Sequence, residues 1–345
     1  MVSPALILAQ VMSQDTLRMI DNVMARDANG DGVLKPDELN QGFTTIDKNS
    51  DGAINREELE AFAKLYYPEF KWVNPIPKGL ELPPGVKHGT FDSPSMKIPV
   101  GYVIYLPPSY EESTKRLPVV YYLHGGRPGG ETKTIKLTNF VHAAISEGKV
   151  APAIYVYVNG GRVSHYNMPH MDSMGEDIFV KELIPHIDAT YRTIAERKGR
   201  AIEGFSQGGR GTTRIMFKYP ELFVSAAPGG PGYATEKRVS QNNGVEISGE
   251  GAKEIHLDFV SGADTFTRAR GYAKNSHPKL NIMIWVGTKG FNYEATLEYL
   301  GFLYGLGIDA ERLIVPDVPH SPIGNYEKRG LELMQFHARN FAAGS

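Results

Sequence analysis

Ser206 lies in the stretch Glu203-Gly204-Phe205-Ser206-Gln207-Gly208-Gly209, with a hydroxyl flanked by glycines at the spacing G-x-S-x-G. The apolar pair Ala201-Ile202 precedes it and a helical pattern from Gly211 to Tyr219 follows. A strand that turns sharply into a helix needs small residues around the turn, and it lifts the serine hydroxyl to where it can act as a nucleophile. The same turn puts the next amide, Gln207 N–H, at a helix N-terminus, where it can stabilise negative charge. Upstream, Val119-Val120-Tyr121-Tyr122-Leu123 runs into His124-Gly125-Gly126. Glycines there let a backbone N–H approach a tetrahedral oxyanion from the other side. Late in the chain, Leu313-Ile314-Val315-Pro316-Asp317-Val318-Pro319 delivers His320, after the serine as an order Ser…acid…His requires. Nucleophile, oxyanion donors and a late histidine together point to acyl transfer. His142, His165 and His186 have no such setting and read as packing or surface residues.

A second constellation lies near the N-terminus. Residues 27–38 (DANGDGVLKPDE) and 47–58 (DKNSDGAINREE) each place oxygen ligands at loop positions 1, 3 and 5: Asp27, Asn29 and Asp31, then Asp47, Asn49 and Asp51. Gly32 and Gly52 follow at the sharp turn, the carbonyls of Val33 and Ala53 serve position 7, and Glu38 and Glu58 close the loops. This is the twelve-residue EF-hand pattern, with seven oxygens for a hard cation, so two Ca2+ sites are expected. Lys35 at position 9 leaves that place in the first loop to water or to nothing, and Leu34 and Ile54 are expected to pair across the loops. The flanking helices carry few Met residues, which favours a structural role for calcium over sensing.

The elements that must hold these residues can be read from composition. The chain has 345 residues, 41% of them hydrophobic and 22% charged, enough for a large core and a small module. Residues 1–67 hold the EF-hand pair. Residues 68–86 contain five prolines, Pro68, Pro75, Pro77, Pro83 and Pro84, and are expected to form a stiff connector. From 87 to 345, apolar β-rich runs alternate with helical patterns, the signature of an α/β fold with a mainly parallel sheet. The net charge of −2 offers no basic field for nucleic acid or an anionic membrane, and no apolar run is long enough to span a bilayer. With no cysteine, disulfides and thiolate chemistry are excluded. The apolar patch Ala5–Ala9 reads as the tail of a trimmed signal peptide or as a first helical turn; a secreted or periplasmic location is the expectation. Composition says nothing of oligomeric state.

Residues 88–345 resemble the esterase D-type α/β-hydrolases, which include the feruloyl and acetyl xylan esterases of carbohydrate esterase family 1 and the enterochelin esterases. The matching stretches are HGTFDSPSMKIPVGYVIYLPPSYEES, LPVVYYLHGG, FVKELIPHIDATYRT, GRAIEGFSQGGRGTTRIMFKYPELF and ERLIVPDVPHS. The resemblance implies an α/β-hydrolase fold with Ser206 as nucleophile, His320 as general base and then acid, and an oxyanion hole from the amides of Gln207 and the Gly125–Gly126 region. It implies no cofactor for catalysis and an ester substrate, with acyl or feruloyl groups on plant polysaccharide expected and siderophore or polyester esters as alternatives. In this family the triad acid follows the next-to-last strand, here Asn281–Gly287, and the matching position falls at or beside Gly290, which has no side chain to hold an imidazole. Asp264 is the first substitute, with a helix N-cap as its competing role; Glu294 and Asp317 are the others, and a Ser–His dyad is a further possibility. A calcium-dependent scaffold with a degenerate hydrolase domain is the alternative function. Arg127 and Arg162 are candidates to receive an acidic or polyhydroxyl substrate.

Overall fold

The structure is a computed structural model. It describes residues 17, 20–21, 23–39, 43–66, 70–126, 129–161, 165–168, 173–233, 264–275 and 277–343. The Ala5–Ala9 patch, Arg127 and Arg162 lie outside the described residues. The chain divides into two compact units, Met1–Phe70 and Lys71–Ser345.

In the first unit the two loops pair as a short antiparallel bridge: Leu34 N–H donates to Ile54 O at 2.9 Å and Ile54 N–H to Leu34 O at 2.8 Å. Leu34 and Ile54 are fully buried, packed with Ile20, Leu39, Ile46, Leu59 and Ala63. Helix α1 (Arg56–Tyr66) starts from a reciprocal cap. Glu58 N–H donates to Asn55 Oδ1 at 2.9 Å, and Asn55 N–H donates back to Glu58 Oε2 at 3.2 Å. Two amide donors at the helix start are thereby satisfied.

The second unit is built on an eight-stranded sheet. Its strands are β1 (Val86–Ser93), β2 (Ile98–Tyr105), β3 (Val119–Leu123), β4 (Ile154–Val158), β7 (Arg200–Phe205), β8 (Ser225–Gly229), β9 (Asn281–Lys289) and β10 (Glu311–Pro319); β5 (Asn167–Met168) and β6 (Ser173–Met174) form a separate ribbon. The spatial order is β1-β2-β4-β3-β7-β8-β9-β10. β2 runs antiparallel to both neighbours, and every pairing from β4 to β10 is parallel. The main helices are α2 (Leu137–Ser146), α3 (Ile184–Thr190), α4 (Gln207–Lys218), α5 (Thr265–Ala273), α6 (Tyr293–Gly305) and α7 (Pro322–Ala343). Among the described residues no helix is long and apolar enough to cross a membrane.

Helices cover both faces, which is why the strands read as continuous apolar runs. On β3, Val119, Tyr121 and Leu123 pack toward a layer containing Phe179, Ile215 and Leu303, while Val120 and Tyr122 pack with Val141, Leu333 and Phe336. Trp285 on β9 is fully buried and its indole N–H donates to Ala227 O at 3.0 Å. Truncating a side chain of that size costs about 3–5 kcal/mol.

The chain crosses from β3 to β4 on one side of the sheet and later to β7 on the other. That reversal leaves a crevice beyond the carboxyl ends of the strands, where such sheets bind ligands. The loops after β3, β7, β9 and β10 all open there.

Part of the proline-rich stretch expected as a connector is instead a strap on the larger unit. Trp72 O accepts from Gly101 N–H at 2.7 Å, and Asn159 Nδ2 donates to Lys71 O at 3.0 Å and Trp72 O at 3.1 Å. Asn74 N–H and Nδ2 donate to the two oxygens of buried Glu131, at 2.5 and 2.8 Å. Proline content signals the absence of regular structure; it does not distinguish a free linker from one held by side-chain amides.

Candidate active site

Ser206 follows β7 and opens α4 with φ 61° and ψ −120°, a strained conformation for a residue with a Cβ. The turn is held by Ser206 N–H donating to Gly229 O at 2.8 Å, the tip of the adjacent β8. Gly208 is required by packing, since a Cβ there would collide with the Leu123 and His124 carbonyls of β3 and its loop. The serine is thus lifted to the carboxyl edge of the sheet with Gln207 N–H at the helix start.

Gly125 brings the loop after β3 against this turn: a Cβ placed on it would stand 3.3 Å from Ser206 Cβ and 3.9 Å from Ser206 Oγ. The preceding His124 was not singled out from sequence, and it holds this loop. A carbonyl only accepts, so Nδ1–H donates to Gly125 O at 2.8 Å; an amide only donates, so Nε2 accepts from Gly160 N–H at 3.0 Å. Both ring nitrogens are spoken for by the neutral imidazole, and burial pulls its pKa down to about 4. Because the peptide is planar and trans, fixing Gly125 O on one side turns Gly126 N–H to the other. Lys133 Nζ donates to Gly126 O on the same loop.

His320 follows β10, whose Pro319 pairs with Lys289 at the end of β9. Its ring packs on Phe205, next to the serine, with centroids 4.6 Å apart, and on exposed Phe291 at 4.3 Å. Burial, and then the charge of Lys133, lower its pKa to about 4.

The partner of His320 is Asn292. Its Oδ1 lies 3.2 Å from His320 Nδ1, and its Nδ2 donates to Gly230 O beyond β8. The Gly230 carbonyl can only accept, so the amide orientation is determined and Oδ1 faces the imidazole. His320 therefore carries its proton on Nδ1 and leaves Nε2 as a base. Asn292 is 3% exposed and its carbonyl accepts from Thr296 N–H and Oγ1 at 3.0 and 2.8 Å, which fixes it at the start of α6. A Cβ on Gly290 would lie 3.1 Å from Asn292 Oδ1 and 3.8 Å from His320 Cα. Residue 290 is where the family pattern puts the acid, and the asparagine side chain reaches back into that place.

The three carboxylates expected to fill this role are elsewhere. Asp264 caps α5, accepting from Thr267 N–H at 2.9 Å and Thr267 Oγ1 at 2.8 Å, so its competing role is the one observed. Asp317 is exposed and pairs with Lys289 at 3.0 Å. Glu294 is exposed in the first turn of α6. Sequence reasoning missed Asn292 because a search for acids passes over amides, and an asparagine before a helix reads as a cap.

The calcium loops keep their expected turns, with Gly32 at φ 85° and Gly52 at φ 82°. Asp27, Asn29, Asp47, Asn49 and Asp51 turn their oxygens onto loop amides, and Val33 and Ala53 N–H are held by Asp31 and Asp51 at 3.1 and 2.9 Å. Glu38 and Glu58 also accept loop amides, and Lys35 Nζ pairs with Asp31 at 2.6 Å. Among the described residues no three acidic or histidine side chains converge as a metal cluster. The donor set nonetheless fits calcium in type and order, and Asp47 Oδ1 is buried without a hydrogen-bond partner.

A serine on a strained strand-to-helix turn, a glycine loop packed against it and an oriented histidine at the carboxyl edge of a mainly parallel sheet define an α/β-hydrolase. The Esterase family model matches residues 93–293, more than half of the chain, and the chain belongs to that family. An EF-hand model matches residues 39–63. Esterase Rv1288 of Mycobacterium tuberculosis is 28% identical over 236 residues, 64% of this chain and 50% of the relative. The chain thus spans about half the length of the curated relatives it matches first. An endo-1,4-beta-xylanase/feruloyl esterase of Xylanibacter ruminicola is 32% identical over 136 residues, 35% of this chain and 18% of that protein. A solved ferulic acid esterase shares the fold with a TM-score of 0.59 at 19% identity, covering 74% of this chain and 98% of its own.

Proposed function

We propose that the chain hydrolyses carboxylic esters through an acyl-enzyme on Ser206, with His320 as base and Asn292 as its orienting partner. The observation that carries this reading is the convergence of the Ser206 turn and the Asn292–His320 pair at one edge of the sheet. In the first half-reaction Ser206 Oγ attacks the ester carbon while His320 Nε2 takes its proton. Gln207 N–H and the Gly125–Gly126 amides would hold the oxyanion. Collapse expels the alcohol, which leaves with the proton from His320, and the acyl group stays on Ser206. Water then attacks the acyl carbon, gives one proton to His320, and releases the acid as Ser206 recovers its proton.

Asn292 differs from a carboxylate in one respect. Its Oδ1 orients the ring as an aspartate would but supplies no full negative charge to the imidazolium. A neutral amide in this place is compatible with nucleophilic catalysis, as in Cys-His-Asn proteases.

The substrate reading is acyl or feruloyl esters of plant polysaccharide; membership of the Esterase family supports the ester, and the similarity to a xylanase/feruloyl esterase and a ferulic acid esterase favours the feruloyl group. The two N-terminal loops are read as calcium sites on the strength of their donor order and the buried, unpartnered Asp47 oxygen. Calcium would supply a fixed positive charge that locks the loops; Asp27, Asn29, Asp31, Val33 and Glu38 would hold one ion, Asp47, Asn49, Asp51, Ala53 and Glu58 the other.

The test is turnover of p-nitrophenyl acetate by the full chain. Ser206→Ala should lower kcat by about a thousandfold or more without loss of fold. Retained turnover in that variant rejects the assignment.

A further inference from the structure

We infer that Lys133 is the anion-recognising residue of this cleft, and that the preferred esters carry a carboxylate a few bonds from the scissile carbonyl. This inference rests on the ester hydrolase reading and names its substrate class.

Four observations carry it. Lys133 Nζ bonds to Gly126 O, so the ammonium is held on the loop that approaches the serine. Gly126 itself faces the Gln207 side chain, with a Cβ there only 3.0 Å from its amide carbon, and neighbouring Gly125 faces Ser206 Oγ. The ammonium is close enough to His320 for its charge to disfavour the imidazolium. Finally, the Lys133 side chain reaches solvent although burial around its ammonium pulls the pKa down to about 8, so it is still mainly charged at pH 7, and among the described residues no carboxylate pairs with it. Three other basic residues of the domain are neutralised by carboxylates: Arg200 by Asp188 at 2.6 Å, Lys181 by Asp177 at 2.9 Å, Lys289 by Asp317 at 3.0 Å.

A carbonyl occupies one of three ammonium protons and leaves two free. A lysine whose only task is to staple the loop gains nothing from standing unneutralised beside the catalytic base, because its charge works against protonation of His320. An incoming carboxylate would remove that penalty by neutralising the ammonium. It would also form a charge-assisted hydrogen bond, about twice as strong as a neutral one. The nearby aromatic surface of exposed Phe291 offers an apolar seat for the intervening carbons.

The experiment compares kcat/KM for monomethyl glutarate and dimethyl glutarate, the latter counted per ester group, by titrating released acid at pH 7. The wild-type chain should favour the monoester anion, Lys133→Gln should lower the anionic-to-neutral ratio about tenfold or more, and Lys133→Arg should keep most of it. Salt should erode the wild-type preference and leave the ratio of Lys133→Gln unchanged. The ratio isolates recognition from any loss of loop order, which would slow both esters alike. An equal ratio in wild type and Lys133→Gln overturns the inference while leaving the hydrolase reading intact. Absence of turnover of both esters likewise overturns the inference, and p-nitrophenyl acetate hydrolysis that survives Ser206→Ala overturns the hydrolase reading itself.

Discussion

Replacing Asn292 by Asp puts a full charge where the structure has a dipole, and the consequence can be worked out. His320 Nδ1 and residue 292 Oδ1 are 3.2 Å apart. At an effective dielectric of about 20, two unit charges at that distance attract by about 5 kcal/mol, an upper bound. Two terms oppose it: the carboxylate must be desolvated at a buried position, and it meets the Gly230 carbonyl, which now accepts from Asn292 Nδ2. The net effect expected of a close opposite charge is a rise of about 1–3 pKa units. His320 starts from about 4, so its limb should move up into the range of about pH 5 to 7. The assay is the pH dependence of kcat/KM for p-nitrophenyl acetate, which reports groups of the free enzyme. Wild type should hold its activity on acidification until near pH 4. Asn292→Asp should lose activity at higher pH, and above that limb should be the faster enzyme because its base is stronger. Asn292→Ala should fall by about tenfold or more with no upward shift of the limb, since nothing then fixes the tautomer. An acid limb at the same pH in wild type and Asn292→Asp would refute the geometry on which the assignment rests.

Other outcomes follow from the same structure. His124 has its pKa lowered to about 4 from an ordinary 6.5, so the unfolded chain binds the extra proton first; its contribution to stability is present above pH 6.5 and is lost as pH falls toward 4, about 3 kcal/mol in all. Urea unfolding at pH 7 and pH 4.5 should show that loss, and His124→Gln should show a smaller one. Glu176 and Arg214 form a buried ion pair, 3% and 1% exposed, and the Glu176 carboxyl is held at about 2 by Arg214 and Lys218 against the opposing effect of burial. Glu176→Gln should cost about 3–5 kcal/mol in the same urea experiment, because Arg214 is left buried and uncompensated. Calcium at about a hundred times its dissociation constant should stabilise the N-terminal unit by about 2.7 kcal/mol, seen as protection from proteolysis within residues 17–66. Asp47→Ala should remove part of that protection, and equal cleavage with calcium and with chelator would contradict the loop assignment.

How much of this was legible in the sequence depends on which residue is asked. The Ser206 turn, the glycines after β3 and His320 could be read because each sits at a strand end, where apolar runs and glycines mark the boundary. The pairing of Leu34 with Ile54 followed from loop spacing alone. The Asn292–His320 hydrogen bond could not be read from the sequence, because it depends on where Gly230 and His320 stand, each brought there by a different strand. Asp264 was misplaced for the converse reason: its chain order suited an acid, but Thr267, three residues on in the same helix, satisfies both of its oxygens. His124 was hidden by its neighbours, since the motif draws attention to glycines and not to the ring that orients their peptide. The strap at Trp72 and Asn74 was likewise invisible, being defined by Asn159 and Glu131 far along the chain.

The proposed reaction passes through a covalent acyl intermediate on Ser206. Acid-quenching the full chain during turnover of p-nitrophenyl acetate, followed by peptide mass spectrometry, tests it most directly. One acetyl group on the peptide containing Ser206, absent from Ser206→Ala and accumulating more in His320→Ala relative to its own turnover, is the predicted result. Steady release of nitrophenol with no acetyl group on that peptide, or with the acetyl on another residue, would contradict the account.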